Sequence, residues 1–146
     1  MTGSDKFFVD TNVLLYATYK NLGHYDAAYE ALIKYPNLYL SKQVIYEYIN
    51  ISLNRKILKR VNPGKVKEYI TAFTQFIKLV DDAPLLLDEL FFYIDKFEIY
   101  GRRVFDLKIY LDMKAGDISK IITNNEKDFK IYEDIEIINP FKEPAQ

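Results

Sequence analysis

Short apolar runs alternate with longer amphipathic segments along this chain. The short runs lie in KFFVD, NLYLSKQ, KIIT and IEIINP and near residues 77–80. Each run is continuously apolar instead of alternating in polarity, which is typical of strands buried on both faces. Because helical segments separate them, the pattern predicts an α/β fold. We expect a three-layer α/β/α arrangement around a short, mostly parallel central sheet.

The helical segments have recognisable starts and ends. Ser41 is a good N-cap for one helix, and Gly23, Gly101 and Gly116 are placed to end others. The predicted helical segments cover residues 11–21, 25–35, 42–60, 65–79 (ending in the strand near 77–80), 85–101 and 104–117. Residues 124–129 are expected to form a loop. Since no linker or repeat stands out, we expect a single domain over residues 1–146.

Composition narrows the class of protein and the kind of metal site. The chain has 146 residues, of which 49% are hydrophobic and 28% charged, as in globular domains. A net charge of −1 argues against holding nucleic acid by bulk charge alone. There is no cysteine, and His24 is the one histidine, so thiolate and multi-histidine zinc sites are excluded. Any metal ion is therefore expected to be a hard cation with oxygen ligands.

The sequence also bears on location. No apolar run approaches the length of a membrane span, and the first residues do not resemble a signal peptide. We therefore expect a cytoplasmic protein without a membrane interaction.

Acidic and amide residues recur near the predicted strand ends. Asp10 ends the first strand, Glu47 lies in the first turns after the second, and Asp106 begins a later helix. Asn125 and Asp128 follow the strand KIIT. In open parallel sheets the ligand site lies outside the carboxyl ends of the strands, so these residues can converge on one edge. Clustered carboxylates repel one another, and a divalent cation would remove that repulsion.

Each acid also has a simpler explanation. Asp10 and Asp106 could cap the helices that they precede. Glu47 could be a solvated helix residue, and Asp128 could bond to its own backbone in a turn. These separate roles do not explain why every candidate falls at the same end of the sheet.

Four motifs, in order, give the chain a resemblance to a known family. They are FFVDTNVLLYA, LYLSKQVIYEYINI, YGRRVFDLKIYLDMKAG and IITNNEKDF. In these motifs the chain resembles the PIN-domain ribonucleases and, among them, the VapC-type toxins of toxin–antitoxin pairs. The resemblance runs from about Lys6 to Pro140 and therefore covers nearly the whole chain.

The resemblance implies a metal-dependent endoribonuclease that hydrolyses RNA phosphodiester bonds. Asp10, Glu47 and Asp106 would hold one or two Mg²⁺ or Mn²⁺ ions, directly or through water. The family commonly has an acid where this chain has Asn125. Asp128 is the alternative source of that carboxylate, as a further catalytic residue, and which of the two is the fourth ligand stays open.

Polar neighbours of these acids have implied supporting roles. The resemblance implies that Thr11 and Thr123 orient the carboxylates and that Asn12 fixes the loop. Such partners of metal ligands matter for affinity.

Two basic clusters are candidate RNA contacts. Arg55 and Lys59 lie with Lys56 and Arg60 at the end of a predicted helix. They could contact phosphates or simply form a solvated helix end. Arg102 and Arg103 lie one turn before Asp106 and could reach a bound phosphate.

The aromatic residues are expected mainly in the core. The chain has 13 tyrosines and 10 phenylalanines, and bases can stack on such rings. Because most of them occur at helical spacing on apolar faces, we expect residues such as Phe91, Phe92 and Phe97 to pack inside.

By analogy with PIN-domain toxins, we expect a homodimer and a VapB-like antitoxin partner. A PIN-like RNA-binding module with weak or no catalysis and a housekeeping RNA-processing nuclease remain alternatives. A receiver-type or phosphatase domain that uses Asp10 as phosphate acceptor is disfavoured, because Thr-Asn-Val follows Asp10 where such domains usually have a second acid.

Overall fold

The computed structural model describes residues 5–142 as five short strands and seven α-helices. The strands are β1 Phe7–Val9, β2 Leu38–Leu40, β3 Ile77–Leu79, β4 Lys120–Ile122 and β5 Glu136–Ile138. The helices are α1 Thr11–Thr18, α2 Tyr25–Lys34, α3 Lys42–Ser52, α4 Pro63–Phe73, α5 Leu87–Lys96, α6 Arg103–Ala115 and α7 Glu126–Phe129.

The strands form one parallel sheet in the order β3-β2-β1-β4-β5. Its centre is apolar on both faces: Phe8, Val9, Ile121 and Ile122 are all fully buried. Phe8 pairs with Ile121 and Val9 with Ile122, which joins the first strand to the fourth. The predicted α/β fold with a short parallel sheet is therefore confirmed.

The order of the strands determines where the helices lie. The chain moves from β1 outwards to β2 and β3, and then crosses back to β4 and β5 on the other side of β1. Since such crossovers are nearly always right-handed, the helices of the two halves cover opposite faces. Consistent with this, α1 packs against α2 and α3, while α6 packs against α7. This is the expected three-layer arrangement.

The helix predicted at residues 42–60 is shorter than expected. α3 ends at Ser52, and the segment up to Arg60 consists of turns. The Asn54 side chain accepts the backbone N–H of Lys56 at 3.0 Å, and Leu58 is buried. Such a local bond gives the backbone an alternative to helix. Arg55 and Lys59 therefore lie in exposed turns and not at a helix end.

Several further boundaries differ from the prediction, and α4, for instance, covers Pro63–Phe73 instead of residues 65–79. α1 ends at Thr18, and a 3₁₀ turn follows. α5 covers Leu87–Lys96 only, and Gly101 (φ 59°) precedes α6 instead of ending α5. Residues 126–129, predicted as loop, form the short helix α7.

Phe91 and Phe92 were expected in the core, and this expectation is wrong. Both are about 60% exposed on α5, whereas Phe97 is partly buried against the core. None of the helices in residues 5–142 combines the length and apolar character that a bilayer-spanning helix needs.

Candidate active site

The candidate site lies at the carboxyl edge of the sheet, where β1 and β4 run side by side. This is the point at which the strand order reverses, and in open α/β sheets ligands bind in the crevice there. Asn12 joins the two strand ends. Its Nδ2 donates to Asp10 Oδ2 at 3.2 Å, and its Oδ1 accepts the Asn124 N–H at 3.0 Å.

Asp10 is buried at this edge with three hydrogen-bond donors around it. Oδ1 accepts the Thr11 N–H at 2.8 Å, so Asp10 does cap α1. Oδ2 accepts the Thr123 hydroxyl at 2.7 Å in addition to the Asn12 amide. The pKa of Asp10 is raised to about 6, mainly by burial and also by the nearby charge of Glu47, although these hydrogen bonds lower it. Asp10 is thus an N-cap, but capping does not describe it fully, because the charge of Glu47 also acts on its carboxylate.

Glu47 is held from two sides. Its Oε2 accepts the Thr11 hydroxyl at 2.7 Å, and its Oε1 accepts the Gln43 amide at 2.8 Å. The same Gln43 nitrogen donates to the carbonyl oxygen of Phe105 at 2.8 Å, which links α3 to the start of α6. The sequence reasoning missed Gln43, although its position four residues before Glu47 on a helix was a usable signal.

Asp106 lies in the first turn of α6 and does not cap it. The N-cap position is Arg102, and no side chain caps the helix there. Burial raises the pKa of Asp106 to about 7, with further contributions from the charges of Asp10, Asp128 and Glu47. The four predicted acids are therefore near enough to influence one another electrostatically.

All five predicted ligand positions line one open cleft of about 690 Å³. The lining residues come mainly from α1, α3, α6 and the segment after β4: Asp10, Thr11, Asn12, Leu15, Gln43, Tyr46, Glu47, Asn50, Ile51, Arg102, Phe105, Asp106, Asn125 and Asp128. Thr123 is fully buried behind Asp10, and its hydroxyl also accepts the Asn125 N–H at 2.9 Å.

The predicted cations divide into two groups. Arg102 lines the cleft, and Arg103 Nε lies 4.0 Å from Asp128 Oδ1. Arg55 and Lys59 are exposed and are not among the lining residues.

The donor chemistry of the cleft fits a hard divalent cation, because its ligands would be carboxylate and amide oxygens. Among residues 5–142, however, no three acidic or histidine side chains are already grouped closely enough to hold one ion. Asp10 and Glu47 instead point oxygens at Thr11, Thr123 and Gln43. The side chains would therefore have to adjust around an ion.

Two buried polar atoms near Asp106 and Asp128 were not anticipated. Within the described part of the chain, Tyr132 Oη and Arg103 Nε have no hydrogen-bond partner. Burial raises the pKa of Tyr132 to about 12, and the charges of Asp106 and Asp128 also contribute. The Tyr132 hydroxyl thus lies within the field of the acids, and no motif in the sequence pointed to it.

Comparison with known proteins identifies the class of this fold and site. The family model of the PIN domain matches residues 7–134, so this chain belongs to the PIN-domain family. A search of curated proteins finds no significant match.

Solved structures with the same fold include several toxin–antitoxin proteins. VapBC-1 from nontypeable Haemophilus influenzae has a TM-score of 0.68 at 17% identity and covers 93% of this chain and 98% of its own. VapBC2 from Rickettsia felis, bound to a DNA fragment from their promoter, has a TM-score of 0.63 at 22% identity, with coverages of 90% and 96%. VapC20 from Mycobacterium tuberculosis, a sarcin–ricin loop cleaving toxin, has a TM-score of 0.65 at 11% identity, with coverages of 87% and 95%.

Proposed function

We propose that this PIN domain is a divalent-metal-dependent endoribonuclease and that Asp10, Glu47, Asp106 and Asp128 are its catalytic acids. The observation that carries the proposal is their placement: four acids from four separate segments line one cleft at the carboxyl edge of the sheet. The raised pKa of Asp10 and of Asp106 supports it, because an ion in the cleft would relieve the repulsion behind part of these shifts.

The ion would be Mg²⁺ or Mn²⁺, and Asp10, Glu47, Asp106, Asp128 and the side-chain oxygen of Asn125 are the residues that would hold it. When bound, such an ion would supply Lewis-acid activation of water and charge neutralisation at the scissile phosphate. Thr11 and Thr123 orient Glu47 and Asp10 through the hydroxyl contacts described above, and Asn12 keeps the two strand ends together. Arg102, which lines the cleft, and Arg103, which lies beside Asp128, would contact substrate phosphates.

The first test is cleavage of RNA with Mg²⁺ or Mn²⁺ and with EDTA. We expect Asp10→Asn, Glu47→Gln and Asp106→Asn each to lose more than roughly 100-fold in activity, since even partners of metal ligands contribute about 10- to 100-fold. Thr123→Val should lose less, about 10- to 100-fold, because it removes only the hydroxyl that orients Asp10.

The matched control is Glu30→Gln, an exposed acid on α2 away from the cleft. It should cleave like the parent. Normal cleavage by Asp10→Asn in excess Mn²⁺ would refute the proposal. Asp10→Asn should also unfold at a temperature near or above the parent, since it removes one of the repelling charges.

We further propose that the chain is the toxin of a VapBC-type pair and acts as a homodimer in the cytoplasm with a VapB-like antitoxin. The fold likeness to VapBC proteins supports this. Growth should stop on expression of the wild type but not of Asp10→Asn, and co-expression of a small neighbouring reading frame should restore it. Continued growth with active enzyme would favour a housekeeping nuclease, and RNA binding without cleavage would identify a binding module.

A further inference from the structure

Two exposed aromatic rings flank the acids in the cleft. Tyr46 on α3 is 73% exposed and Phe105 on α6 is 58% exposed, and both line the cleft. Each is the direct sequence neighbour of a proposed ligand, Glu47 or Asp106. Exposed large aromatic side chains at a concave site are unusual for packing residues and typical of binding residues.

The face of α3 that lines the cleft is continuous. Its residues Gln43, Tyr46, Glu47, Asn50 and Ile51 follow the spacing of one helical stripe. On the opposite wall Arg102, Phe105 and Asp106 have the same three- and four-residue spacing. The cleft is thus bounded by two helix faces, each of which presents one aromatic ring beside one acid.

The two walls are joined directly. The Gln43 amide donates to the Phe105 carbonyl oxygen at 2.8 Å, and Tyr46 lies one helical turn along α3, a rise of about 4.5 Å. The two rings are therefore carried by helix segments that a hydrogen bond fixes relative to one another. Such preorganisation reduces the loss of conformational entropy on ligand binding, and therefore its cost in free energy.

We propose that Tyr46 and Phe105 form a stacking subsite for an unpaired nucleobase of the RNA substrate, next to the phosphate that is cleaved. This inference rests on the proposed ribonuclease function and adds to it a position for one unpaired base, in single-stranded RNA or in a loop. Every base has a face that can stack on an aromatic ring, but a base in a duplex is already stacked and cannot reach the cleft.

The charges of the cleft favour the same ligand. Arg102 supplies a cation for the backbone phosphate, while the base offers an uncharged face to the rings. Asn50 is exposed one turn beyond Tyr46 on the same stripe, and its amide can both donate to and accept from a base edge. In this subsite the rings of Tyr46 and Phe105 would contribute affinity, and the Asn50 amide would contribute a preference among bases.

The test compares leucine variants in an Asp10→Asn background, in which RNA can be held with Mg²⁺ without being cut. Tyr46→Leu and Phe105→Leu keep apolar bulk but remove the ring. We expect each to bind a fluorescein-labelled single-stranded RNA about tenfold more weakly by fluorescence anisotropy. Tyr46→Phe, which keeps the ring, should bind like its parent. The same strand paired with its complement should bind more weakly and be insensitive to these substitutions.

Two controls separate the subsite from general surface effects. Phe91→Leu on α5 is matched to Phe105→Leu by its 60% exposure, and Tyr29→Leu on α2, 51% exposed, is matched to Tyr46→Leu. Neither lines the cleft, and neither should change binding. Equal binding by cleft and control variants would overturn the inference, as would absence of single-strand binding by the parent. Cleavage by the wild type and its loss in Asp10→Asn would meanwhile report on the proposed function separately.

Discussion

Among the individual residues, Tyr132 and Tyr110 form an informative pair. Their rings are stacked with centroids 4.1 Å apart, so both phenols share one environment. The Tyr110 hydroxyl donates to Asp134, with both carboxylate oxygens within 2.8 Å, whereas Tyr132 Oη has no partner within residues 5–142. A buried hydroxyl without a partner destabilises the fold, and one bonded to a carboxylate stabilises it.

We therefore expect opposite results from the same substitution at the two positions. Tyr132→Phe should leave the free energy of unfolding unchanged or raise it by up to about 1–3 kcal/mol, because it removes an unsatisfied group. Tyr110→Phe should lower it by about 1.5–3 kcal/mol, since a hydrogen bond to a charged group is lost. Urea unfolding curves of both variants provide the measurement. A loss of stability in Tyr132→Phe would mean that its hydroxyl does have a partner.

The acids that line the candidate cleft could be predicted because each has a local signal in the sequence. Asp10 directly follows an apolar strand, and Asp106 is the first residue of the helical pattern DLKIYLDMKAGD. Tyr132 has no such signal, and Gln43 has only its position four residues before Glu47 on the same helix. Their importance depends on which distant atoms they meet, the Phe105 carbonyl oxygen in one case and the field of Asp106 in the other.

At the scale of elements, the existence of most helices and strands could be predicted, but their ends could not. α3 stops at Ser52 although NRKILKR could continue a helix, because the Asn54 turn and the burial of Leu58 depend on the surrounding structure. The true start of α4 has a purely local cause: the Asn62 side chain accepts the Gly64 N–H at 2.7 Å. A helix boundary that a neighbouring side chain sets has a signal in the sequence. A boundary that depends on tertiary contacts has none.

One tertiary link between elements should be measurable. Asp112 on α6 is fully buried and accepts both the Ala83 N–H and the Lys108 ammonium at 2.8 Å. It thereby fastens the segment between β3 and α5 to α6. Asp112→Ala should lower the free energy of unfolding by about 1–3 kcal/mol, because the Ala83 N–H loses its acceptor.

Asp112→Asn keeps an acceptor for Ala83 and should lose less stability. Neither variant should lose the specific RNA cleavage activity, since Asp112 does not line the cleft. If the alanine and asparagine variants were equally unstable, the ion pair with Lys108 and not the backbone contact would be the main contribution.

For the whole molecule, the cluster of acids predicts that the free energy of unfolding falls as the pH rises. The pKa of Asp10 rises from 3.8 to about 6 and that of Asp106 from 3.8 to about 7 on folding. The folded chain therefore binds these protons more tightly than the unfolded chain. The resulting stability is fully present below pH 3.8 and is lost as the pH rises through 6 to 7.

In EDTA, we expect the free energy of unfolding to fall between pH 5 and 7.5, by at most about 1.4 kcal/mol per pH unit for each carboxyl. Mn²⁺ should restore stability at pH 7.5 and have little effect near pH 5, where protons compete with it. The double variant Asp10→Asn/Asp106→Asn should flatten the profile, whereas Glu30→Gln should keep it. A profile that rises with pH in the wild type would contradict the clustering of charge.

The hydrogen bond from Asn12 to Thr123 joins residues 111 positions apart, which follow β1 and β4, two paired strands of the sheet. The cleft consequently cannot exist in any chain that lacks β4, however well the first half has folded. During synthesis Asp10, Glu47 and Asp106 leave the ribosome before β4, the strand that completes their edge of the sheet. If the chain is the ribonuclease proposed above, its activity therefore arises in one late step of folding, after β4 has been synthesised.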